Sequence, residues 1–238
     1  MHHLLEEASA LCQVITAIHQ RGWCDGTGGN FSSVLLDEPL ALLMAPSGVD
    51  KRSLTPAELI IVDGGGTVIG GSGQASAETL VHLTIITTTH ARAVLHTHSQ
   101  AATLLSRLHP PPNSCLHLQP NAGESLWWEG EPSATGLLGH LRIGHLEMLK
   151  GLEGIGTHST TISIPILANS QDMRELSEFA RPHLVKAPYG ILIAGHGLYS
   201  WGDSLVQARR HLEILEFLLE QHWRQLSLDL RLIRHGVT

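Results

Sequence analysis

Residues 92–99, with the sequence RAVLHTHS, place two histidines at the end of a short apolar run, which is typical of a strand. Because the side chains of a strand alternate between its two faces, His96 and His98 are expected to point the same way, one pleat apart. Imidazole is a common ligand of zinc and related divalent ions, and a catalytic zinc site uses three protein ligands and one open position. The segment therefore predicts two ligands of a metal site, and the third has to come from elsewhere.

The candidate for the third ligand is His196. It lies between two glycines, directly after a second apolar run at residues 191–194. Glycines leave backbone room around the imidazole and no neighbouring side chain that would block a ligand. With 17 histidines in the chain, an H-x-H pair also arises by chance, and the alternative is two half-buried strand histidines that are hydrogen-bonded to their neighbours. We predict a metal-binding triad of His96, His98 and His196.

The composition describes one globular chain with a sizeable core. Its 238 residues are 42% hydrophobic and 16% charged, and the formal charge of −7 gives no basic surface for nucleic acid or an anionic membrane. Three scattered cysteines do not suggest a disulfide framework. No apolar stretch approaches the roughly 20 residues of a membrane span, and the N-terminus has no signal-peptide pattern. We therefore expect a cytoplasmic protein with a small-molecule partner.

The order of the apolar segments predicts a sheet covered by helices. Residues 4–21 have apolar side chains at helical spacing before Gly22, and another helical pattern begins at Asp203 or Ser204. Short apolar segments at hairpin spacing dominate the first half of the chain, with helices between them. This pattern favours an α/β domain with a mixed, mainly antiparallel sheet.

Residues 109–140 differ from the rest of the chain. They contain three consecutive prolines, several glycines and the adjacent pair Trp127 and Trp128, so we predict a long loop insertion. Two interpretations of the tryptophans remain open. They either pack within a surface insertion or form a lid or subunit contact.

Five stretches, in order along the chain, resemble the motifs of the class II (zinc-dependent) sugar-phosphate aldolase superfamily. They are GTGGNFS from Gly26, APSG from Ala45, SAET from Ser76, HTHS from His96 and GHGLYSWG from Gly195. Three further stretches resemble a dehydratase branch of that superfamily. They are EMLK from Glu147, THSTTISIPILANSQD from Thr157 and ARRHLEILEFLLE from Ala208.

The resemblance implies a single class II aldolase-like domain over residues 1–238, with three α/β/α layers. It also implies one zinc ion per subunit on His96, His98 and His196, Glu147 as the acid/base, and a homotetramer with active sites near subunit interfaces. The implied reaction belongs to methionine salvage. It is the dehydration of 5-methylthioribulose 1-phosphate to 2,3-diketo-5-methylthiopentyl 1-phosphate.

Glu147 has two interpretations in the sequence. As a catalytic group beside an apolar wall, it would have a pKa raised toward neutrality, which suits a residue that both takes and gives a proton. As an ordinary surface residue, it would pair with Lys150 at the i, i+3 spacing of a helix. The spacing alone favours the surface residue, and the resemblance favours the catalytic one.

Glycine-rich turns are the candidate phosphate site, because backbone N–H groups and small polar side chains can hold a dianion without a nearby lysine. Glu78 is expected to orient water or a ligand, or only to complement a helix start. The predicted substrate- and phosphate-binding residues are Thr27, Gly28, Asn30, Ser47, Gly48, Ser76 and Glu78.

Two other functions fit the same residues. A sugar-phosphate aldolase or epimerase would use the same zinc but break a carbon–carbon bond or invert a centre. A zinc-stabilised interaction protein without turnover would instead have a closed site of four ligands, with Cys24 or Cys115 as the fourth.

Overall fold

The structure is a computed structural model, and it describes residues 2–108 and 133–234. Nine strands in these residues form one sheet in the order β4-β3-β2-β1-β5-β9-β8-β7-β6, and every neighbouring pair is antiparallel except β7 and β8. The strands are β1 (Asn30–Leu36), β2 (Ala41–Met44), β3 (Ile60–Asp63), β4 (Val68–Gly70), β5 (Ala93–Thr97), β6 (Leu137–Gly144), β7 (Thr161–Leu167), β8 (Gly190–Ile193) and β9 (Gly197–Gly202).

Helices cover both faces of this sheet. They are α1 (His2–Gln20), α2 (Thr79–Thr89), α3 (Gln100–Leu105), α4 (Met173–Leu184) and α5 (Leu205–Arg234), with short 3-10 helices at Pro56–Glu58 and Glu147–Gly151. One buried cluster joins α1, α3 and α5 to the face that carries Leu95, and a second joins α2 and α4 to the face that carries Val94. The predicted three-layer α/β/α architecture with a mainly antiparallel sheet is confirmed.

The apolar stripes seen in the sequence explain the layers. Leu11 and Ile15 of α1 are fully buried, as are Leu212, Leu215 and Leu219 of α5. Residues spaced three and four apart lie on one face of a helix, so each stripe packs as a unit against the sheet. Burial of a leucine side chain contributes about 1.5–3 kcal/mol, so these stripes hold the outer layers in place.

The three central strands β1, β5 and β9 position the site. Their register puts Asn30 opposite His96 on one side of β5 and Tyr199 opposite His96 on the other. Directly opposed residues of neighbouring strands share one face of a sheet. Asn30, His96 and Tyr199 therefore form a row across the sheet, on the face covered by α2.

The predicted insertion is only partly within the described residues. The loop prediction is wrong for its last residues, 137–140, which belong to β6 because they pair with β7 at the sheet edge. The rest of it up to residue 132, with Trp127 and Trp128, lies outside the described residues. Among the helices that are described, none is both long and apolar enough to cross a membrane.

Candidate metal site

Three histidines that are distant in sequence meet at one end of the sheet. The Nε2 atom of His96 lies 2.8 Å from Nε2 of His98 and 3.4 Å from Nε2 of His196. One ring nitrogen from each residue falls within a group whose atoms all lie within 4.8 Å of one another. This convergence of donors is what a three-histidine metal site requires. The structure thus brings the predicted triad together.

His96 is oriented by its strand neighbours. It is the fourth residue of β5 and is fully buried. Its Nδ1 lies 3.0 Å from the Leu198 carbonyl oxygen, an acceptor, so Nδ1 carries the proton and the lone pair of Nε2 faces the other two histidines. The Tyr199 ring stacks on the imidazole at a centroid distance of 3.9 Å. His96 is therefore held in the tautomer and orientation of a metal ligand.

The other two histidines lie on the connections at the ends of strands. His98 follows the end of β5, and its backbone N–H donates to the Trp23 carbonyl. His196 lies in the turn between β8 and β9. A Cβ atom on the next residue, Gly197, would lie 1.9 Å from the Thr97 carbonyl oxygen. The glycine is required because β5 and β9 approach closely here, rather than only to keep side chains away from a ligand as the sequence suggested.

Burial keeps the two histidines of the H-x-H motif neutral. It lowers the pKa of His96 well below its ordinary value, and Glu78 opposes this effect without overcoming it. Burial and the neighbouring His196 also lower the pKa of His98. Neutral imidazole is the form that binds a metal. The three imidazoles thus fit a divalent ion in their chemistry, and His96 and His98 also fit it in their protonation state.

Glu78 lies against the triad. Its Oε1 is 3.0 Å from Nε2 of His196, and its Oε2 is 3.4 Å from Nε2 of His96. Burial alone would raise the pKa of Glu78, but its contacts with His196, His96 and Tyr199 outweigh this effect, so the pKa lies well below its ordinary value. Glu78 is the N-cap residue of α2, yet its side chain accepts no capping hydrogen bond. The carboxylate is directed to the site, which contradicts the simple helix-start interpretation.

Glu147 has different surroundings. Its side chain is 72% exposed, its Oε1 accepts a hydrogen bond of 2.7 Å from Lys150, and its Oε2 lies 3.6 Å from Nδ1 of His158. The Lys150 ammonium group lowers the pKa of Glu147 below its ordinary value. The expectation that an apolar wall raises this pKa is therefore wrong for the single chain. Within the described residues, these contacts fit the surface interpretation that the sequence left open.

The predicted phosphate residues lie on loops that lead to Glu78 and the histidines. The backbone N–H of Glu78 donates to the Ser76 hydroxyl over 3.2 Å, and that of Ser47 donates to Gln74 over 2.8 Å. A Cβ atom on Gly28 would lie 2.9 Å from Nδ1 of His98, so this loop touches the triad. Thr27, Ser47 and Gly48 are exposed.

The Asn30 amide nitrogen donates a hydrogen bond of 2.5 Å to Oε2 of Glu78. Its Oδ1 is buried and has no hydrogen-bond partner in the described part of the protein. A buried acceptor without a donor is costly, so Oδ1 is suited to a hydroxyl group of a ligand.

A lysine lies closer to these loops than the sequence analysis assumed. Lys51 is 1% exposed, only three residues after Gly48, and its ammonium group donates to the Val49 carbonyl. Burial lowers the pKa of Lys51. Its charge lies beneath the loop rather than at the surface.

The closed four-ligand site finds no support among the described residues. The group that could hold a metal consists of the three histidines alone. Cys24 is a buried free thiol whose pKa is raised to about 11 by burial, which disfavours the thiolate that a metal needs. Cys115 lies outside the described residues.

Sequence reasoning missed Tyr199. The residue belongs to the GHGLYSWG motif, but nothing in the spacing indicated that it stacks on His96 and donates to Glu78. The available signal was alternation along β9, which puts Tyr199 on the same face as Gly197. That Tyr199 lies opposite His96 on the neighbouring strand depends on the strand register, which the sequence alone does not provide.

A family comparison covers most of the chain. The profile described as the class II aldolase and adducin N-terminal domain matches residues 9–223. The chain belongs to the class II aldolase family. Among similar class II aldolase relatives is the methylthioribulose-1-phosphate dehydratase of Sorangium cellulosum, which is 36% identical over 217 residues, or 90% of this chain and 89% of the relative. The enzyme of that name from Xylella fastidiosa strain M12 is 37% identical over 220 residues, or 92% of this chain and 88% of the relative.

Solved structures of the family share the fold. YgbL of Escherichia coli aligns with a TM-score of 0.69 at 21% identity, over 92% of this chain and 88% of that one. The L-fuculose-1-phosphate aldolase of Thermus thermophilus aligns with a TM-score of 0.64 at 24% identity, over 98% of each chain. At these identities the likeness supports the fold of the class II aldolases and not a particular reaction.

Proposed function

We propose that this protein is a methylthioribulose-1-phosphate dehydratase, a hydro-lyase that removes water from 5-methylthioribulose 1-phosphate to give 2,3-diketo-5-methylthiopentyl 1-phosphate in methionine salvage. The observation that carries the proposal is the convergence of His96, His98 and His196 beside the Glu78 carboxylate. The relatives bearing that name, which match over most of the chain, support this substrate.

His96, His98 and His196 are the proposed ligands of one Zn²⁺ ion per subunit. Such an ion, when bound, polarises the C2 carbonyl of the substrate and so acidifies the proton on C3. The three imidazoles carry no charge when they ligate, so the positive charge of the ion is balanced by the nearby Glu78 and by the substrate.

Glu78 is the proposed base for the C3 proton. Its carboxyl group is ionised at neutral pH, which is the form that a base requires. When His196 serves as a ligand, its Nε2 carries no proton, so Oε1 of Glu78 is left without that donor. That oxygen is then free to accept the substrate proton.

Glu147 remains the proposed acid/base for loss of the C4 hydroxyl group as water. Because it is exposed in the single chain, this role requires an assembly in which its carboxylate reaches a site at a subunit interface. The proposed homotetramer is supported by exposed apolar side chains near Glu147. Met148, Val206 and Phe217 share one surface groove and are 40%, 80% and 40% exposed.

The phosphate group is proposed to bind at the loops that carry Thr27, Gly28, Ser47, Gly48 and Ser76. Backbone N–H groups and hydroxyl groups on exposed loops can hold a dianion, and the buried Lys51 adds a positive charge beneath them. Asn30 then contributes its unpartnered Oδ1 to a substrate hydroxyl. A cytoplasmic location accords with the free thiols of Cys12 and Cys24.

Incubation of the zinc-loaded protein with 5-methylthioribulose 1-phosphate tests the proposal. We expect the ultraviolet absorbance of a dicarbonyl to appear, together with a product lighter than the substrate by one water molecule. An aldehyde fragment would instead identify an aldolase, and a product of unchanged mass would identify an epimerase. A zinc-bound protein with no turnover would favour the interaction protein.

Proton exchange separates the two carboxylates. We expect Glu78→Gln to lose both dehydration and exchange of the C3 hydrogen with solvent deuterium. Glu147→Gln is expected to retain the exchange and lose dehydration. A Glu147→Gln variant with full dehydratase activity would remove Glu147 from the mechanism.

A further inference from the structure

In the row of Asn30, His96 and Tyr199, the proposed metal ligand His96 lies between two residues whose side chains donate hydrogen bonds. Asn30 and Tyr199 lie on opposite sides of His96, one on β1 and one on β9. Strand register fixes these positions, so neither donor depends on a loop. The Glu78 carboxylate, which contacts this row, therefore has a hydrogen-bond donor on each side of His96, and the sheet holds both donors in place.

Both donors converge on the same carboxylate oxygen. The Tyr199 hydroxyl group donates to Oε2 of Glu78 over 2.7 Å, and the Asn30 amide donates to that oxygen over 2.5 Å. Two donors occupy the lone pairs of Oε2, whereas the close polar neighbour of Oε1 is Nε2 of His196. The two oxygens of Glu78 thus have different partners.

Burial makes the Tyr199 contact difficult to replace. Tyr199 is 0% exposed, its ring stacks on His96 at an interplanar angle of 15°, and it meets the buried His82 ring edge-on at 5.9 Å. Bulk water therefore cannot substitute for its hydroxyl group. Burial and the nearby Glu78 raise the pKa of Tyr199 well above its ordinary value, which keeps the hydroxyl group protonated as a donor.

We propose that Tyr199 is a positioning residue, whose hydroxyl group, together with the Asn30 amide, holds Oε2 of Glu78 so that Oε1 is the oxygen that takes the substrate proton. The inference rests on the proposed dehydratase function. It goes beyond that function in assigning separate roles to the two oxygens of one carboxylate and in giving Tyr199 a role in proton transfer. A misplacement of about 1 Å at a reacting group can cost a hundredfold in rate.

The test uses Tyr199→Phe, which removes the hydroxyl group and keeps the ring on His96. We expect kcat per bound zinc ion to fall by roughly 10- to 100-fold, with zinc affinity and KM changed by less than about twofold. Tyr189→Phe is the matched control, because Tyr189 also stacks on a histidine, His211, at 4.1 Å and an interplanar angle of 20°. The control is expected to retain wild-type kcat.

A double-mutant cycle shows whether the effect passes through Glu78. The shorter side chain of Glu78→Asp retains a carboxylate but cannot keep the same contacts with both donors. If Tyr199 acts through Glu78, Tyr199→Phe changes kcat by less than about twofold in that background. An equal loss in both backgrounds, or an unchanged kcat in the single variant, would overturn the inference.

Crystal structures of the wild type and of Tyr199→Phe give a second readout that does not need turnover. In the variant, we expect the Glu78 carboxylate to rotate and Oε2 to move beyond about 3.5 Å from the Asn30 amide nitrogen. An unmoved carboxylate would overturn the inference. A wild-type enzyme without dehydratase activity would overturn the proposed function instead, and the crystal structures would still decide whether Tyr199 holds Glu78.

Discussion

Glu216 gives a prediction whose size follows from its surroundings. This residue of α5 is 2% exposed, and its Oε1 accepts a hydrogen bond of 2.5 Å from Thr97, the residue between His96 and His98. Burial raises the pKa of Glu216 to about 7, partly opposed by hydrogen bonds from Ser99 and Thr97. The perturbation is Glu216→Gln, which keeps the shape and the acceptor but cannot ionise.

The direction in which stability changes with pH follows from the pKa difference between the folded and the unfolded protein. The carboxyl group has a higher pKa in the folded protein than its ordinary value of 4.5, so the unfolded chain loses its proton first as the pH rises. Ionisation then favours unfolding, and wild-type stability is lost between pH 4.5 and about 7. One pH unit corresponds to about 1.4 kcal/mol, so the difference between 4.5 and about 7 gives a total of roughly 3.5 kcal/mol, of which about 2.5 kcal/mol falls between pH 5 and pH 8.

Urea unfolding of zinc-free wild type and Glu216→Gln at several pH values measures this difference. We expect the free energy of unfolding of the variant, relative to wild type, to rise by about 2.5 kcal/mol from pH 5 to pH 8, because every other titrating group is common to both proteins. Glu178→Gln, at an exposed position on α4, controls for the loss of one negative charge. A difference that stays flat with pH would refute the reasoning for Glu216.

Three other outcomes follow from the site and the turn beside it. His96→Ala is expected to abolish both zinc content, measured by elemental analysis, and turnover; a variant that keeps either would contradict its role as a ligand. Removal of zinc from the wild type with a chelator should abolish turnover, and zinc should restore it; full activity of the metal-free protein would exclude a catalytic metal. Gly197→Ala puts a Cβ atom 1.9 Å from the Thr97 carbonyl oxygen, so we expect a loss of about 3 kcal/mol or more in the free energy of unfolding. Gly156→Ala, with open space around its Cβ, is the control, and an equal effect in both variants would contradict the close approach of the strands.

The layers of the fold follow from local patterns, which explains why the sequence predicts them. Helical spacing of apolar residues identifies α1 and α5, and both helices bury the expected stripes. Strand alternation predicted that His96 and His98 point the same way, and the structure brings them together although His98 lies one residue beyond the end of β5. Such periodicities belong to a single element and need no knowledge of its neighbours.

Features that depend on how elements pair were beyond the sequence. The row of Asn30, His96 and Tyr199 requires the register of three strands, to which no short motif points. The sequence also left open whether Glu78 only complements a helix start, but α2 begins at Thr79 and the Glu78 carboxylate reaches the triad. For Glu147, the exposed position depends on how its 3-10 helix packs on α5, so motif and spacing could not decide between its two interpretations.

The central claim is that the three histidines hold the ion that dehydration requires. Titration of metal-free protein with Zn²⁺, with turnover of 5-methylthioribulose 1-phosphate followed at each point, tests it most directly. We expect activity to rise in proportion to bound zinc and to reach its plateau at about one ion per chain, the stoichiometry of a single three-histidine site. Turnover that is already complete without metal, or that stays absent when one ion per chain is bound, would contradict it.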